Sequence, residues 1–326
     1  MIRRFVKKIM NINIHMTQLD NSVFYSSFRS LDPKDWHPIS EPFNGSDTIE
    51  GYKENLDNPK YTGLFKNWRF KTDPIDYSFN NIGMRVPSIE NNQYDMTDDY
   101  DFSDKIVILG CSHVQGVGIE YEHTIGEYLS KLTGRQVINW GVGGCGPDAV
   151  FHNAMWLATR ERLPLKVIVL WPTVGRFSFT NPITNMIEYV IPPNVFDHGF
   201  SKFYKTEMLF GDIQKLQSVK YKNTLRNVFK DRLCEFDLWS GIHRPFSVVE
   251  KEFLAERDEL VNSNRNLIDI LNNLKGRDIR SVPKDFLKLQ KLDDPFSFFV
   301  GFSAHNGKDI NELIARRLIF PQLSDL

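Results

Sequence analysis

The chain has 326 residues, of which 41% are hydrophobic and 13% aromatic, and its net charge at pH 7 is −1. This length accommodates one large α/β domain with an extra lobe, or two small domains, and the supply of aromatic residues argues for a packed core and against disorder. A net charge near zero does not indicate a phosphate-binding surface, so we expect no nucleic-acid partner.

Cysteine usage and the first residues bear on the compartment. The three cysteines, Cys111, Cys145 and Cys234, are too few and too scattered for a disulfide framework, which favours a reducing compartment. Residues 1–10 are basic and partly apolar, but residues 11–15 interrupt the apolar run and no small-residue cleavage site follows, so we predict no signal peptide. No run approaches the roughly 18 apolar residues of a membrane span. We expect a soluble, cytoplasmic chain.

The first hundred residues predict an irregular lobe. They are rich in Asn, Asp, Pro and aromatic residues and show no sustained helical period. Residues 77–85 alternate apolar and polar side chains around a turn-prone Asn-Asn pair, which predicts a short hairpin. The acidic stretch 95–104 is typical of a linker or an exposed loop. We therefore assign residues 1–100 to an N-terminal extension.

A different pattern begins after residue 100. Three apolar runs rich in β-branched residues, at 105–110, 136–140 and 166–171, predict buried strands. Helices are predicted between them at 123–132 and 147–162, the second with Pro147 at its first position. This alternation is typical of a parallel sheet with right-handed crossovers. We predict a three-layer, flavodoxin-like α/β fold over residues 101–326, with about five parallel strands flanked by helices.

The remainder of that domain is less regular. Residues 172–245 are predicted to be an insertion, with a hairpin near 186–191 and helical segments over 202–233. Residues 247–274 have helical periodicity, residues 279–282 are a candidate fourth strand, and a last helix is expected over 308–319.

Candidate functional residues follow from where the strands end. In an open parallel sheet, ligands bind beyond the carboxyl ends of the strands. The loops 110–118 and 141–146, and the loop 303–307 before the last helix, are expected there. Ser112 follows the first strand at a turn into a helix, where main-chain N–H groups stabilise negative charge, so it is a candidate nucleophile. The competing interpretation is that Ser112 only caps a helix or a turn. His305, just before the last helix, is either a general base or a surface histidine.

The loop 141–146 also has the G-x-G-x-x-G spacing of dinucleotide-binding proteins. Two observations argue against a nucleotide. The loop follows the second strand and not the first, and the next strand ends in Leu170-Trp171-Pro172 without the expected acidic residue. We therefore expect no nucleotide cofactor.

Cys111 and Cys145 lie on adjacent strand-end loops and are expected to approach each other. A metal site with His113 or His305, a redox role and a cysteine nucleophile are alternatives, but the spacing matches no zinc pattern. Buried, inert thiols are the favoured interpretation, and we predict no metal.

Taken together, three segments resemble the SGNH/GDSL hydrolase superfamily. The segment 110–113, Gly-Cys-Ser-His, is similar to the first block of that family, with Cys111 in place of aspartate; 137–144 is similar to the second block and 302–307 to the fifth. The wording of residues 77–85 and 110–118 resembles a divergent branch found in viral and environmental bacterial sequences. The resemblance covers about residues 77–320, and it adds a virion-associated location to the cytoplasmic one.

The resemblance implies an ester hydrolase and assigns roles to residues of this chain. Ser112 is the nucleophile, His305 the general base, and the N–H groups of Ser112 and Gly144 receive the oxyanion. The implied substrate is a small-molecule or glycan ester carrying an acyl or acetyl group, and no cofactor is needed.

The sequence also departs from the family pattern. Phe302 occupies the position of the triad aspartate, for which Asp293 or Asp294 are candidate substitutes. The third block, Gly-x-Asn-Asp, is absent after the third strand, so its oxyanion donor would come from Arg176, from Asn181 or from no residue. Losing one such donor costs about 10²- to 10³-fold in rate. The alternatives are a catalytically degenerate binding or structural protein on the same scaffold, such as a viral particle component or a glycan-binding module, and an acyltransferase.

Overall fold

The computed structural model describes residues 25, 27, 38–42, 75–90, 94–97, 99–172, 176–181, 186–190, 212–237, 299–300, 305–306 and 308–323. The predicted helix at 247–274, the predicted strand at 279–282 and residues 293, 294 and 302 lie outside these ranges.

The described strands and helices follow the chain in this order. The strands are β1 (Ile39–Pro42), β2 (Asp76–Phe79), β3 (Arg85–Val86), β4 (Ile106–Gly110), β5 (Val137–Gly141), β6 (Lys166–Leu170), β7 (Phe177–Asn181), β8 (Met186–Val190), β9 (Leu233–Phe236), β10 (Phe299–Val300) and β11 (His305–Asn306). The α-helices are α1 (Ser112–Gln115), α2 (Ile125–Thr133), α3 (Pro147–Ala158), α4 (Asp212–Phe229) and α5 (Lys308–Leu313). Helix α5 continues as a π-helical segment, Ile314–Ile319.

Seven of the described strands form one sheet, in the order β1-β2-β3-β5-β4-β6-β9. The four strands β5, β4, β6 and β9 are parallel, and their spatial order, second-first-third-fourth, is the flavodoxin-like one. Strands β1, β2 and β3 extend the sheet in antiparallel fashion from β5. The predicted α/β fold is therefore confirmed, with four described parallel strands where about five were expected.

Both faces of the parallel strands are covered by helices, which makes the fold three-layered. Alternate residues of a strand face opposite sides of a sheet. Val107 and Leu109 of β4 accordingly pack in one core with α3 and α4, while Ile106 and Ile108 pack in a second core with α2 and the C-terminal segment 314–323. Burial on both faces explains why the strands are continuous apolar runs.

Helix boundaries agree with the local signals in the sequence. Thr124 caps α2 by accepting from the N–H of Glu127 at 3.2 Å, and Gly134 ends the helix with a φ of +68°. Pro147 begins α3 as predicted, but the helix ends at Ala158, four residues earlier than expected. The helical segment predicted at 202–233 is α4, for which residues 212–229 are described. The predicted last helix is also confirmed. The hairpin predicted at 186–191 is displaced, because residues 186–190 form only its second strand, β8, which pairs with β7 at residues 177–181.

The hairpin predicted at residues 77–85 is confirmed as β2 and β3. The side-chain oxygen of Asn80 accepts the N–H of Met84 at 2.9 Å and closes the turn. Asn81 exchanges two 2.8 Å hydrogen bonds with the main chain of Met96, which ties the segment 94–97 to the hairpin. Three strands from the first hundred residues thus belong to the main sheet, where an irregular lobe was expected. The domain boundary at residue 100 and the insertion at 172–245 stay predictions.

Candidate active site

Ser112 begins a one-turn helix at the carboxyl end of β4. Cys111 precedes it as the N-cap residue, and its carbonyl accepts the N–H groups of Val114 and Gln115, each at 3.0 Å. Gly116 ends the helix with a φ of +78°, and its N–H donates to the Ser112 carbonyl at 2.9 Å. Hydrogen bonds thus fix the main chain on both sides of the serine, whose side chain is largely buried, with the residue 7% exposed.

The glycine loop after β5 packs directly on the helix that carries Ser112. A Cβ atom at Gly141 would overlap the main-chain nitrogen of Gln115, and one at Gly143 would lie 2.7 Å from the Oε1 atom of the same residue. Gly144 has a φ of +80°, a backbone conformation that residues other than glycine rarely adopt, and it is partly exposed. The two strand-end loops predicted to form the site are therefore in contact.

These contacts explain why glycine occupies these positions without a bound nucleotide. The space that a side chain would occupy at Gly141 and Gly143 is filled by Gln115, and the space at Gly146 is filled by the carbonyl of Arg176. In dinucleotide-binding proteins the glycines instead let the main chain approach a diphosphate. The close packing of this loop on protein atoms disfavours the nucleotide interpretation.

Gln115 is a residue of the site that the sequence did not single out. Its side chain is fully buried, and its Nε2 donates to the hydroxyl of Ser27 at 2.9 Å. The Oε1 atom faces Gly143 and has no hydrogen-bond partner among the described residues. Gln115 therefore lies between the N-terminal part of the chain, the Ser112 helix and the glycine loop.

Arg85 of β3 binds the end of the Ser112 helix, a role that the sequence also did not indicate. Its guanidinium donates to the carbonyl of Gln115 at 2.9 Å, to that of Gly116, and to that of Ile119 at 2.6 Å. The arginine is 1% exposed, and its guanidinium carbon lies 4.2 Å from the ring centroid of Tyr77. The sequence predicts the hairpin at residues 77–85, but it does not indicate that the arginine of this hairpin binds the Ser112 helix.

Two further side chains of the sheet bind the same turn. The amide of Asn139, on β5, donates to the carbonyl of Val114 at 2.8 Å, and Asn139 is 1% exposed. The hydroxyl of Tyr77, on β2, accepts the N–H of Gly118 at 2.6 Å. The main chain from residue 114 to residue 119 is thus held by polar side chains of three neighbouring strands.

His305 reaches this region through its main chain. It begins the short strand β11, which pairs with β10 in antiparallel fashion. Cα atoms of β11 and of the Ser112 helix α1 approach within 8 Å. Further on, the amide of the buried Asn311 in α5 donates to the carbonyl of His123 at 3.1 Å, so the C-terminal helix is fixed to the segment before α2. Residues 112 and 305 therefore belong to neighbouring elements.

The two side-chain candidates for the oxyanion site differ in position. The main chain of Arg176 contacts Gly146, at the end of the glycine loop. Asn181 ends β7 and pairs with Met186 across the β7–β8 hairpin. Five residues of extended chain span about 16 Å, so the main chain of Asn181 lies well away from that of Arg176. The glycine loop is thus in contact with the backbone at Arg176.

Cys111 and Cys145 pack in the same hydrophobic core. Cys145 Sγ lies 3.5 Å from the carbonyl oxygen of Gly110. Burial, and in second place the neighbouring Cys111, raise the pKa of the Cys145 thiol well above its ordinary value. A protonated thiol is a poor nucleophile, which disfavours that role for Cys145. Among the described residues, no group of three or more metal-ligating side chains is present.

A partly buried carboxylate adjoins the glycine loop. Asp148, the second residue of α3, accepts the N–H of Ser178 at 2.7 Å, and burial raises the pKa of its carboxyl. Burial, and then Asp148, raise the pKa of Tyr25 to about 12. Burial lowers the pKa of the nearby His152. The sequence did not single out this cluster of titratable groups.

No family model and no curated protein matches the chain. Among solved structures, the chain is similar to the crystal structure of a member of the lipolytic protein G-D-S-L family from Veillonella parvula DSM 2008. The match covers 66% of this chain and 96% of that chain, with 11% sequence identity and a TM-score of 0.31. At such a TM-score the similarity carries no argument about fold or activity. Within the described part of the chain, no helix is both long enough and apolar enough to cross a membrane.

Proposed function

We propose that the chain is a serine hydrolase of the SGNH/GDSL type that cleaves acyl or acetyl esters of small molecules or glycans. The observation that carries the proposal is the meeting of three segments at one edge of the sheet. The Ser112 helix packs on the glycine loop at Gly141 and Gly143, and the strand that begins with His305 lies beside the same helix.

In the proposed reaction, Ser112 Oγ attacks the ester carbonyl carbon while the imidazole of His305 takes the hydroxyl proton. The new C–O bond converts the carbonyl oxygen to an oxyanion, which accepts hydrogen bonds from the N–H groups of Ser112 and Gly144. Collapse breaks the bond to the alcohol, which leaves with the proton from His305. A water molecule then attacks the acyl-enzyme by the same steps, releases the acid and restores Ser112.

The positive φ of Gly144 and its partial exposure suit the oxyanion role, because the main chain turns at this glycine in the partly exposed middle of an otherwise buried loop. The hydrogen bonds around residues 112–119 suit the nucleophile, because catalysis requires reacting groups to be held in place before the substrate arrives. No cofactor takes part in these steps.

Covalent labelling tests the proposal. A fluorophosphonate probe forms a stable bond to an activated serine, and we expect it to label the wild type at Ser112. Ser112→Ala should lose all labelling, while Ser103→Ala, which changes an exposed serine in another loop, should keep it. Peptide mapping identifies the modified residue. A wild type that stays unlabelled across the pH range in which it is folded would contradict the proposal.

A second candidate function is that of an inactive scaffold that binds a glycan or builds a particle. The observations that favour it are Phe302, where the family has its triad aspartate, and the missing asparagine block after β6. Loss of the carboxylate that orients the histidine costs about 10⁴-fold in the serine proteases. Glycan binding by unlabelled wild type and equally by Ser112→Ala would favour this candidate over the hydrolase.

A further inference from the structure

Arg85 reaches from the N-terminal hairpin into the turn that follows Ser112. Its guanidinium donates to three main-chain carbonyls of that turn, those of Gln115, Gly116 and Ile119, and is almost completely buried. A guanidinium carries five N–H donors in a rigid, planar arrangement, so one side chain can bind several carbonyls at fixed relative positions. Arg85 therefore sets where these three carbonyls lie with respect to each other.

The environment of Arg85 stabilises a cation that would otherwise be costly to bury. Removing an ion from water costs several kcal/mol in a protein interior unless other groups bind it. The carbonyls at the end of a helix lack intrahelical partners and carry partial negative charge, which favours a cation. The ring of Tyr77, 4.2 Å from the guanidinium carbon, adds a cation–π contact. The cation is thus bound on its edge by main chain and on its face by an aromatic ring.

Gly116 and Arg85 fit each other closely. A Cβ atom at Gly116 would lie 2.9 Å from Nη1 of Arg85, and the φ of +78° at this position also favours glycine. Because the N–H of Gly116 donates to the carbonyl of Ser112, a shift of Gly116 is transmitted to the serine through one hydrogen bond.

Asn139 complements Arg85 from the next strand. The two residues are direct antiparallel partners in the sheet, and Asn139 donates to the carbonyl of Val114. The carbonyls of Val114, Gln115 and Gly116 thus each accept a hydrogen bond from a side chain of β3 or β5. Arg85 and Asn139 thus attach the Ser112 helix to strands β3 and β5 of the sheet.

We infer that Arg85 is a positioning residue of the Ser112 site, which fixes the turn at residues 115–119 and through it the place of the serine relative to the strand of His305. The inference rests on the proposed function. Arg85 acts through the main chain and not on the substrate. A displacement of about 1 Å in a reacting group can cost about 10²-fold in rate, so the geometry of this turn bears directly on catalysis.

The variant Arg85→Lys tests the inference, because an ammonium keeps the charge but cannot bind three carbonyls in a fixed plane. We expect the labelling rate constant of Ser112 at saturating fluorophosphonate to fall about 10- to 100-fold. The probe concentration at half-saturation should stay unchanged, since Arg85 does not touch the probe. Arg162→Lys is the matched control, because Arg162 is an exposed arginine that binds Asp101 on the surface. It should label as the wild type does.

A merely structural role gives a different result. Loss of folded protein lowers the labelled fraction but leaves the rate constant of the folded molecules unchanged, so thermal unfolding and labelling amplitude are measured beside the rate. Arg85→Ala supplies a second readout. Guanidinium ions added to this variant should restore part of the rate constant, whereas the same concentration of ammonium ions should not.

The outcomes separate the two proposals. If the wild type is not labelled at Ser112, the proposed function fails, and the role of Arg85 fails with it. If the wild type is labelled and folded Arg85→Lys shows the same rate constant, only the positioning role is overturned. If neither Arg85 variant folds, amide exchange at residues 116–118 of the wild type decides. Slow exchange in the unlabelled protein supports a turn that is fixed before the probe binds, and fast exchange would overturn the positioning role.

Discussion

The main-chain nitrogen of Gln115 occupies the space that a side chain of Gly141 would need. A Cβ atom at Gly141 would overlap that nitrogen, and it would also lie within 2.7 Å of the carbonyl carbon of Val114. Both atoms belong to the main chain of the Ser112 helix, whose carbonyls at Val114 and Gln115 accept hydrogen bonds from the sheet residues Asn139 and Arg85. The end of β5 and the Ser112 helix are therefore in direct main-chain contact.

Gly141→Ala should consequently be strongly destabilising. Overpacking in a core costs about 1–3 kcal/mol and more where neither side can move, so we expect a loss of at least about 3 kcal/mol or no folded protein. Gly134→Ala is the matched control, since Gly134 has a φ of +68° but open space around it, and a left-handed alanine costs about 1–2 kcal/mol. Urea unfolding measures both. Equal losses in the two variants would contradict the contact.

Lys222 of helix α4 and Asp237, which follows β9, form a buried ion pair. The Nζ–Oδ2 distance is 2.9 Å, and the two side chains are 6% and 3% exposed. Lys222→Met leaves a buried carboxylate without this partner, so we expect a loss of about 3–5 kcal/mol in the free energy of unfolding. The double variant Lys222→Met, Asp237→Leu should recover most of it. Arg316→Met, which removes an exposed pair with Glu312, should cost less than about 1 kcal/mol.

How far the sequence could predict this fold depends on how local each signal is. The strands β4, β5 and β6 and the start of α3 at Pro147 were predictable, because β-branched runs and a proline at the first helical position act over a few residues. The pairing of the two-residue strand β3 with β5 was not, because it joins Arg85 to Asn139 across more than fifty residues. Such a strand is defined by its partner and carries no period of its own.

The candidate site shows the same division. Ser112, Gly144 and His305 were proposed from short motifs and from their order along the chain. Arg85, Gln115 and Asn139 were not, because polar and charged side chains are usually exposed. Sequence alone does not reveal that Arg85 and Asn139 bind main-chain carbonyls inside the fold, or that Gln115 binds the hydroxyl of Ser27. The residues that hold the site depend on tertiary contacts, whereas those proposed to react depend on motifs.

The thiols differ in accessibility. Cys111 and Cys145 are 2% and 1% exposed, and burial raises the pKa of Cys145, whereas Cys234 on β9 is partly exposed. We expect Ellman's reagent at pH 8 to modify one thiol of the native protein quickly and all three only after unfolding. Cys234→Ser should abolish the fast phase. Fast modification of two thiols in the native wild type would show that the core around Cys145 is open.

The raised pKa of Asp148 predicts a specific dependence of stability on pH. Burial raises the pKa of its carboxyl above the ordinary value of 3.8, so between these two pKa values the folded state binds more protons than the unfolded state. This carboxyl therefore lowers the free energy of unfolding as the pH rises from its unfolded pKa to its folded pKa. Asp148→Asn removes the titration, so the variant should gain stability relative to the wild type across that interval, with no such gain below pH 3.

Asp101 is the control with the opposite sign. Hydrogen bonds from Ser103 and Arg162 lower its pKa to about 2, so it stabilises the folded state above its unfolded pKa and loses this effect as the pH falls. Asp101→Asn should therefore lose stability relative to the wild type as the pH rises from 2 to 5. Urea unfolding at several pH values measures both slopes. Parallel slopes in the two variants would show that Asp148 is not desolvated.

The oxyanion site gives the last prediction, which bears on the missing asparagine of the family pattern. The main chain of Arg176 contacts the glycine loop at Gly146, whereas Asn181 lies five residues further along an extended chain, a span of about 16 Å. Of the two candidates, Arg176 is therefore the one whose main chain is adjacent to the loop proposed to bind the oxyanion. An arginine donor there would also neutralise the developing negative charge.

If Arg176 supplies the donor, Arg176→Ala should lower the labelling rate constant of Ser112 by about 10²- to 10³-fold, the usual cost of one oxyanion donor. Arg176→Lys should keep part of the rate, and Asn181→Ala should lose less than Arg176→Ala. Arg316→Ala, an exposed arginine on the C-terminal helical segment, serves as the charge-matched control. A larger loss in Asn181→Ala than in Arg176→Ala would assign the donor to the hairpin. A wild-type rate in both variants would leave the main-chain N–H groups of Ser112 and Gly144 as the whole oxyanion site.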